Sequence, residues 1–526
     1  LGNGLKRREF LKLAGTAAAS RIFPGYRGFQ SKEKQKRLNF LLIFVDDLRP
    51  ETGCYGSDFV KTPNIDRLAH EGLVFSRAYC QMAICNPSRA SMMTGMRPDT
   101  IRVFNNVTHF RKINPWTLTL PQFLIKNGYV SIAVGKIFHN TLPDSPSWTE
   151  DRPVLPVDHI YASKETQIRQ RSRKADAIKL GRSESWILAR IRGPATEAFD
   201  APDYTYWDGA VASKAIANLW KLQRYQPFFL AVGFIRPHLP FVAPKKYWDL
   251  YSREDIPLAP NNFPPKNAPR LAMNSLTELA SYEDFVGSPK LYEGHLSETQ
   301  ARLLKHGYYA SVSFTDAQVG RVLEALDHMG LRENTIVILV SDNSFKLGEH
   351  GSWCKFTNYE IDTRVPLIIS APGRIPQNAS TKALVELVDL YPTVCEMAGL
   401  ETPSGREGTS LVPLFSDSSF PWKTAAFSQF PRGYFNRFMG YAMRTDRYRY
   451  VEWHDRLDNS VLTNELYDHE TDPLENENIA GCPENMDLVK QLARKLDKGW
   501  RAARPIGWQG MEVGKNYTAY DAKQNR

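Results

Sequence analysis

The chain has 526 residues, 42% of them hydrophobic and 24% charged, a balance that suits a folded globular protein and excludes a disordered or collagen-like one. A formal net charge of +10 points to an anionic polymer or an anionic small substrate. There is no zinc-finger spacing and no Lys/Arg tract interleaved with aromatics, which sets nucleic acid aside. No apolar run reaches the ~18 residues of a transmembrane segment.

Taken in chain order, the first feature is "LKRREFLKLAGTAAAS", with adjacent Arg7 and Arg8 before an Ala-rich stretch. It resembles a twin-arginine export signal, and residues 1–37 are expected to be a leader and linker of an exported, periplasmic or extracellular protein. Short apolar runs at 40–45, 130–134, 228–232, 336–340 and 367–369 read as buried parallel strands. Helical patterns separate several of them, at 121–128, 308–330 and 387–400, with Gly128, Gly330 and Gly399 at their ends. Alternating strands and helices predict an α/β sheet covered on both faces, over a catalytic region of 38–410. Residues 160–200 read as an inserted basic, loop-rich surface segment, and in a sharper reading as a basic rim that attracts a polyanion. From 411 onward the pattern changes. Residues 441–453 alternate like an antiparallel strand, 464–480 like a strand and acidic turn, and 486–503 like a closing helix, together a smaller C-terminal α+β subdomain over 411–526.

Four of the strand-like runs end in polar residues. The first ends in Asp46-Asp47, the second in Gly135-Lys136 with His139 following, the third leads to Arg236-Pro237-His238, and the fourth ends in Ser341-Asp342-Asn343. Ligands of open α/β sheets bind at the carboxyl ends of the strands, so the four endings predict one shared site. Asp46, Asp47, Asp342 and Asn343 offer only oxygen ligands, which suits Ca²⁺ or Mg²⁺ better than Zn²⁺. Each pair alone reads as readily as a cap or turn; their joint placement favours a metal. Lys136, His139, His238, Arg89 and Lys355 could each be structural, but as a set they could surround a tetrahedral anion.

The six cysteines include no Cys-x-x-Cys pair, so neither a zinc site nor a redox motif is written, and disulfides are not required. Cys85 stands apart. Pro87 suits the first turn of a helix, which would set Cys85 at a helix N-terminus with Arg89 four residues on, a setting for an anionic nucleophile beside an anionic substrate. A lone cysteine is otherwise most often an inert core thiol.

Cys85-Asn86-Pro87-Ser88-Arg89, followed by "ASMMTGMRPDT", resembles the Cys-x-Pro-Ser-Arg signature of the type I, formylglycine-dependent sulfatases. The blocks "NFLLIFVDDLRP", "VGKIFHN", "PFFLAVGFIRPHLPFVAPKKYWDLY", "SDNSFKLGEHGSWCKF" and "ELYDHETDP" extend the likeness over most of the chain. "RPDTIRVFNN" and "GKIFH" look most like the iduronate-2-sulfatase branch. The resemblance implies an alkaline-phosphatase-like sandwich with a large mostly parallel sheet and a smaller C-terminal antiparallel one. It also implies a formylglycine made from Cys85 by a maturation enzyme, and one Ca²⁺ held by Asp46, Asp47, Asp342, Asn343 and the modified Cys85. Arg89, Lys136, His139, His238 and Lys355 would then line a sulfate pocket. One hydroxyl of the hydrated aldehyde would attack sulfur, His238 with Lys355 would protonate the leaving oxygen of a sulfated carbohydrate, and His139 would help the second hydroxyl expel sulfate. The chain departs from the branch at Asp342-Asn343-Ser344-Phe345, where Asp-His-Gly-Trp is usual; Ser344 and Phe345 are expected to alter the wall that selects the sugar. A phosphonate or phosphoester hydrolase of the same superfamily, and a glycan-binding protein with an unmodified Cys85, are the alternatives.

Overall fold

The structure is a computed structural model that describes residues 37–139, 142–150, 159–183, 187, 191–274, 278–286 and 296–505. The twin-arginine stretch lies outside the described residues. No helix among them is long and apolar enough to cross a membrane.

The core is a seven-stranded sheet. In chain order its strands are β1 (Asn39–Val45), β2 (Leu73–Phe75), β3 (Val130–Gly135), β4 (Phe228–Phe234), β5 (Thr335–Ser341), β6 (Leu367–Ser370) and β7 (Ala379–Thr381). They lie side by side in the order β7-β2-β6-β5-β1-β4-β3. All five apolar runs expected as strands are strands. One expectation is corrected: β6 is antiparallel to both its neighbours, β5 and β2, whereas the other pairings are parallel. The segment joining β5 to β6 holds short strands, turns and helical pieces of no more than four residues (Glu360–Thr363 among them), too short for a crossover helix, and a strand that returns without a crossover pairs antiparallel. The edge strands β2 and β7, three residues each, are too short to leave a periodic signal.

The sheet is covered on both faces, and β1 shows how. Leu41, Ile43 and Val45 enter one apolar core, and Phe40, Leu42 and Phe44 the other. The helices that concern the site and its covering layers are α1 (Cys85–Thr94), α2 (Leu120–Lys126), α3 (Lys164–Lys179), α4 (Trp207–Leu222), α5 (Glu298–His328), α6 (Leu390–Met397) and α7 (Met486–Ala502). Residues of α4 and α5 pack into the first core, those of α1, α2 and α6 into the second. Helix α5 begins ten residues before the apolar pattern does. A capping box fixes that start: the Ser297 hydroxyl accepts from the Gln300 amide while the Gln300 side chain accepts from the Ser297 amide. Residues 164–179, expected as loop, form α3. Its apolar content is too low to show a period, and the helix is set instead by the Ser163 cap, whose hydroxyl accepts from the Thr166 amide.

In the C-terminal region a four-stranded antiparallel sheet runs β8 (Ala426–Arg432), β9 (Phe438–Arg444), β10 (Tyr448–Asp455), β11 (Val461–Asp468), with α7 packed against β10. The stretch 441–453, read as one strand, is the β9–β10 hairpin. The Thr445 hydroxyl accepts from the Tyr448 amide and turns the chain there. Between β10 and β11, Glu465 is buried, accepting from Trp453 Nε1 and bonded to the Tyr467 hydroxyl.

Burial pushes the Glu465 carboxyl up to about 7 from an ordinary 4.5. The folded state therefore binds the extra proton between those two values, so this group's contribution to stability falls as pH rises from about 4.5 to 7. Glu465→Gln is expected to be more stable than the parent at pH 8 by on the order of 2–4 kcal/mol, with the difference vanishing near pH 4, as read by urea denaturation across that range.

Candidate active site

The site is assembled where β1, β3, β4 and β5 end. β1 delivers Asp46 and Asp47, and Asp47 adopts a left-handed backbone (φ 59°) that turns the chain away from the sheet. The Asp47 amide donates to Asp342 Oδ1 from the end of β5, and the Leu48 amide to the Ser341 hydroxyl, so the two strand ends are tied together. At the end of β3, Gly135 (φ 78°) lies against β4 so closely that a Cβ there would meet the Gly233 carbonyl oxygen at 2.2 Å. Only glycine permits this approach, and it brings Lys136 in beside Asp46.

α1 is buried from end to end. Pro87 falls in its first turn, as expected, and Cys85 is its first residue. Asn86 secures that end: its amide donates to Asn106 Oδ1 and its side chain to the carbonyls of Asn105 and Thr108. Cys85 Sγ lies 3.6 Å from Asp46 Oδ1, 3.8 Å from Lys136 Nζ and 3.5 Å from Lys355 Nζ. Lys136 is ion-paired with Asp46, and Lys355 Nζ reaches both Asp47 oxygens at 2.6 Å.

Arg89 stands apart from the expected pocket lining. It is fully buried under the site, where Nε and Nη2 bind Asp342 and Asp46 at 2.7 Å each and Nη1 donates to the carbonyls of Lys136 and Ile137. The Phe44 ring lies beneath it, 4.2 Å from the guanidinium carbon. Arg89 thus holds three of the four strand ends in register. Cys85, Lys136, His139, His238 and Lys355 do line a cleft, of about 460 Å³. His238 Nδ1 faces the Leu239 carbonyl at 2.6 Å, which makes it the protonated nitrogen, and Nε2 is 3.7 Å from Asp47 and 3.4 Å from Glu278.

Burial, reinforced by Asp46, pushes the Cys85 thiol well above its ordinary value against the pull of Lys136 and Lys355. The unmodified side chain is a neutral thiol. Burial and the Lys136 charge push His139 down to about 3, and burial with Lys355 holds His238 well below its usual range, so both imidazoles are neutral bases here. Burial would raise Asp46, but Lys136 and Arg89 hold it well below the usual carboxylate range. Asp47, despite Lys355, is raised to about 8.

Oxygens of Asp46, Asp47 and Asp342 come within 4.8 Å of one another. Asn343 Oδ1 is buried beside them and accepts no hydrogen bond, while its amide nitrogen donates to Asp47 and to the Ser344 carbonyl. An orphaned buried oxygen next to three crowded carboxylates fits a hard cation with oxygen ligands.

Phe345 does not form a wall of the cleft. It is wholly buried, stacked on Tyr308 at 5.8 Å and edge-on to Phe241 at 6.0 Å, and serves as core beneath Lys355. Ser344 is likewise buried. The walls come instead from Tyr161, Gln167, Gln170, Arg171, Lys174, Arg192, Glu278, Tyr282 and Phe356; the first six fall in the stretch read as a basic rim and Phe356 closes the block after Cys354, but none is among the expected site residues. For α3 a signal existed: Gln167, Gln170, Arg171 and Lys174 recur at the spacing of one helix face.

A mostly parallel sheet with acidic ligands and cations at its carboxyl ends, and a separate antiparallel sheet in the C-terminal region, defines a hydrolase of the alkaline-phosphatase-like fold. Residues 38–400 match the Sulfatase family, and residues 348–501 match the C-terminal region of N-sulphoglucosamine sulphohydrolase. The chain is 34% identical to iduronate 2-sulfatase of Homo sapiens, over 88% of this chain and 94% of that one. It is 31% identical to a sulfatase of Formosa agariphila, over 90% of each. Its fold matches BT4656 solved in complex with its substrate D-glucosamine-2-N,6-O-disulfate (TM-score 0.68, 22% identity, 91% of this chain and 100% of that one). It also matches a phosphonate monoester hydrolase of Agrobacterium radiobacter (TM-score 0.67, 25% identity, 89% and 96%). The chain belongs to the sulfatase family, in its iduronate-2-sulfatase-like branch, and is a sulfatase.

Removing Arg89 strands two buried carboxylates. Arg89→Met is expected to lower stability by about 3–5 kcal/mol, as a shift of the urea midpoint at unchanged slope.

Proposed function

We propose that this sulfatase uses a formylglycine made from Cys85 and acts on a sulfated carbohydrate, a 2-O-sulfated uronic acid or a related polysaccharide unit. The observation that carries the reading is the state of Cys85. Its thiol sits at the floor of a cationic cleft, touching two lysines and an aspartate, yet burial keeps it protonated. A neutral thiol is a poor nucleophile, so the position calls for conversion to an oxygen-bearing group. The sugar class is supported by 34% identity to iduronate 2-sulfatase and by the basic face that α3 turns to the cleft.

Within this reading Asp46, Asp47, Asp342 and Asn343, with the modified Cys85, would hold Ca²⁺. That ion supplies Lewis-acid activation of the nucleophilic oxygen and charge for the sulfuryl oxygens. Lys136 and Lys355 face the sulfate and stabilise charge that spreads over its oxygens as the ester bond breaks. Arg89 acts from below, as the positioning residue of the carboxylates. His238 presents Nε2 to the cleft with Nδ1 fixed by Leu239; Nε2 is unprotonated in the free site, so it would hand a proton to the leaving sugar oxygen only after taking one up beside the bound anionic substrate. His139, neutral and lining the cleft, is the base for sulfate release. Residues 411–526 are read as the C-terminal subdomain, and the leader as an export signal.

Cys85→Ala is expected to abolish turnover of aryl sulfate and of sulfated saccharide while leaving the circular dichroism spectrum unchanged. Peptide mass analysis of active protein is expected to show aldehyde in place of thiol at position 85; active protein carrying only the thiol would sink the reading. Adding Ca²⁺ is expected to raise the melting temperature of the parent and to leave that of Asp47→Asn nearly unmoved. Hydrolysis of aryl sulfate faster than of aryl phosphonate ester separates the sulfatase from a phosphonate hydrolase.

A further inference from the structure

The floor of the cleft and its outer wall differ in how their charges are balanced. On the floor, Arg89, Lys136 and Lys355 are each paired with a buried carboxylate. The wall is α3, fixed at the cleft edge by its Ser163 cap and by Gln167, whose Nε2 donates to the Tyr161 carbonyl at 2.8 Å. Its residues Gln167, Gln170, Arg171 and Lys174 face the cleft, at the i, i+3, i+4, i+7 spacing of a single face. Arg169 and Arg173, turned elsewhere, are both neutralised by Glu283, at 2.8 and 2.5 Å. The two acids of the helix are also engaged away from the cleft, Glu165 with Arg169 and Asp176 with Lys179. Arg171 and Lys174 have no ion pair among the described residues, and Arg171 is exposed. Lys164, exposed at the start of the helix, is also without an ion pair among the described residues, but of the uncompensated cations of α3 only Arg171 and Lys174 line the cleft.

We propose that Arg171 and Lys174 form a subsite for a second anionic group, a carboxylate or a second sulfate, on the saccharide whose sulfate ester reaches Cys85. The subsite rests on the sulfatase reading of the cleft. A forked guanidinium beside an ammonium on one rigid helix face, with Gln170 lining the same cleft, suits planar or tetrahedral oxyanions. The consequence is a substrate that carries at least two negative charges, with one held and the other removed.

The test compares kcat/KM on a sulfated disaccharide bearing both a carboxylate and a second sulfate with kcat/KM on nitrophenyl sulfate, which has one charge. In Arg171→Gln/Lys174→Gln that ratio is expected to fall about tenfold, mostly through KM, and the salt dependence of KM on the disaccharide to flatten. Lys179→Gln, at the exposed end of the helix, is expected to keep the parent ratio. A carboxyl-reduced disaccharide and one lacking the second sulfate tell the sources apart, since the substrate without the recognised anion loses the parent's advantage over the double variant. An unchanged ratio in the double variant, or an equal fall in Lys179→Gln, overturns the subsite. If the parent hydrolyses no sulfate ester, the catalytic reading fails by itself. Calorimetry of the disaccharide on Cys85→Ala, with and without the double substitution, still decides the subsite by whether the affinity drops.

Discussion

Everything at the active end of this molecule depends on one guanidinium placed where no water reaches. Arg89 takes a carboxylate from β1 on one side, a carboxylate from β5 on the other, and two carbonyls from the loop after β3. A buried charge persists only when it is fully paired, so this side chain demands its partners as much as they demand it. Because Arg89 lies one helical turn after Cys85, the same side chain fixes the distance between Cys85 and the carboxylates of Asp46 and Asp342. The site is a lattice of strand ends pinned from beneath.

The electrostatic design has two tiers. Below, cations and carboxylates alternate and cancel, which allows them to be packed without solvent. Above, the cleft offers neutral imidazoles and, on α3, Arg171 and Lys174 without an ion pair among the described residues. A sulfate ester entering this space meets positive charge that is already oriented and needs no reorganisation, the condition under which electrostatics lowers a barrier most. The raised Cys85 thiol belongs to the same balance: burial first, and then Asp46, outweigh the pull of the two lysines.

Much of this was legible in the chain. The five apolar runs became strands because continuous β-branched and aromatic segments bounded by polar residues have few other places to go in a two-sided sheet. The polar residues after them became neighbours because parallel strands all end on the same side. What escaped was set by longer-range facts. The reversal of β6 depends on the length and content of its connection, and the helix at 164–179 depends on a cap more than on an apolar stripe. Arg89 is expected as a contact for sulfate from its place one turn after Cys85 and from the signature it belongs to; only the three-dimensional sum of its hydrogen bonds shows donations to Asp342, Asp46 and the Lys136 and Ile137 carbonyls within the protein. Phe345 was placed on the wall by its position next to Asn343. A loop that folds back under Lys355 carries it into the core instead. The walls come mostly from residues 160–200, whose basic character was legible, while which of their side chains face the cleft was not.

The burial of α1 has a consequence in time. Every residue from Cys85 to Thr94 is shut away, and Cys85 is 1% exposed at the foot of a narrow cleft. A second protein has no route to that Cβ once the sheet has closed over the helix. Any enzyme that alters Cys85 must therefore meet it as part of an extended chain, before α1 has docked. For any such alteration the packing sets the order of events: the chemistry on the side chain would have to come first, and folding would then seal the position.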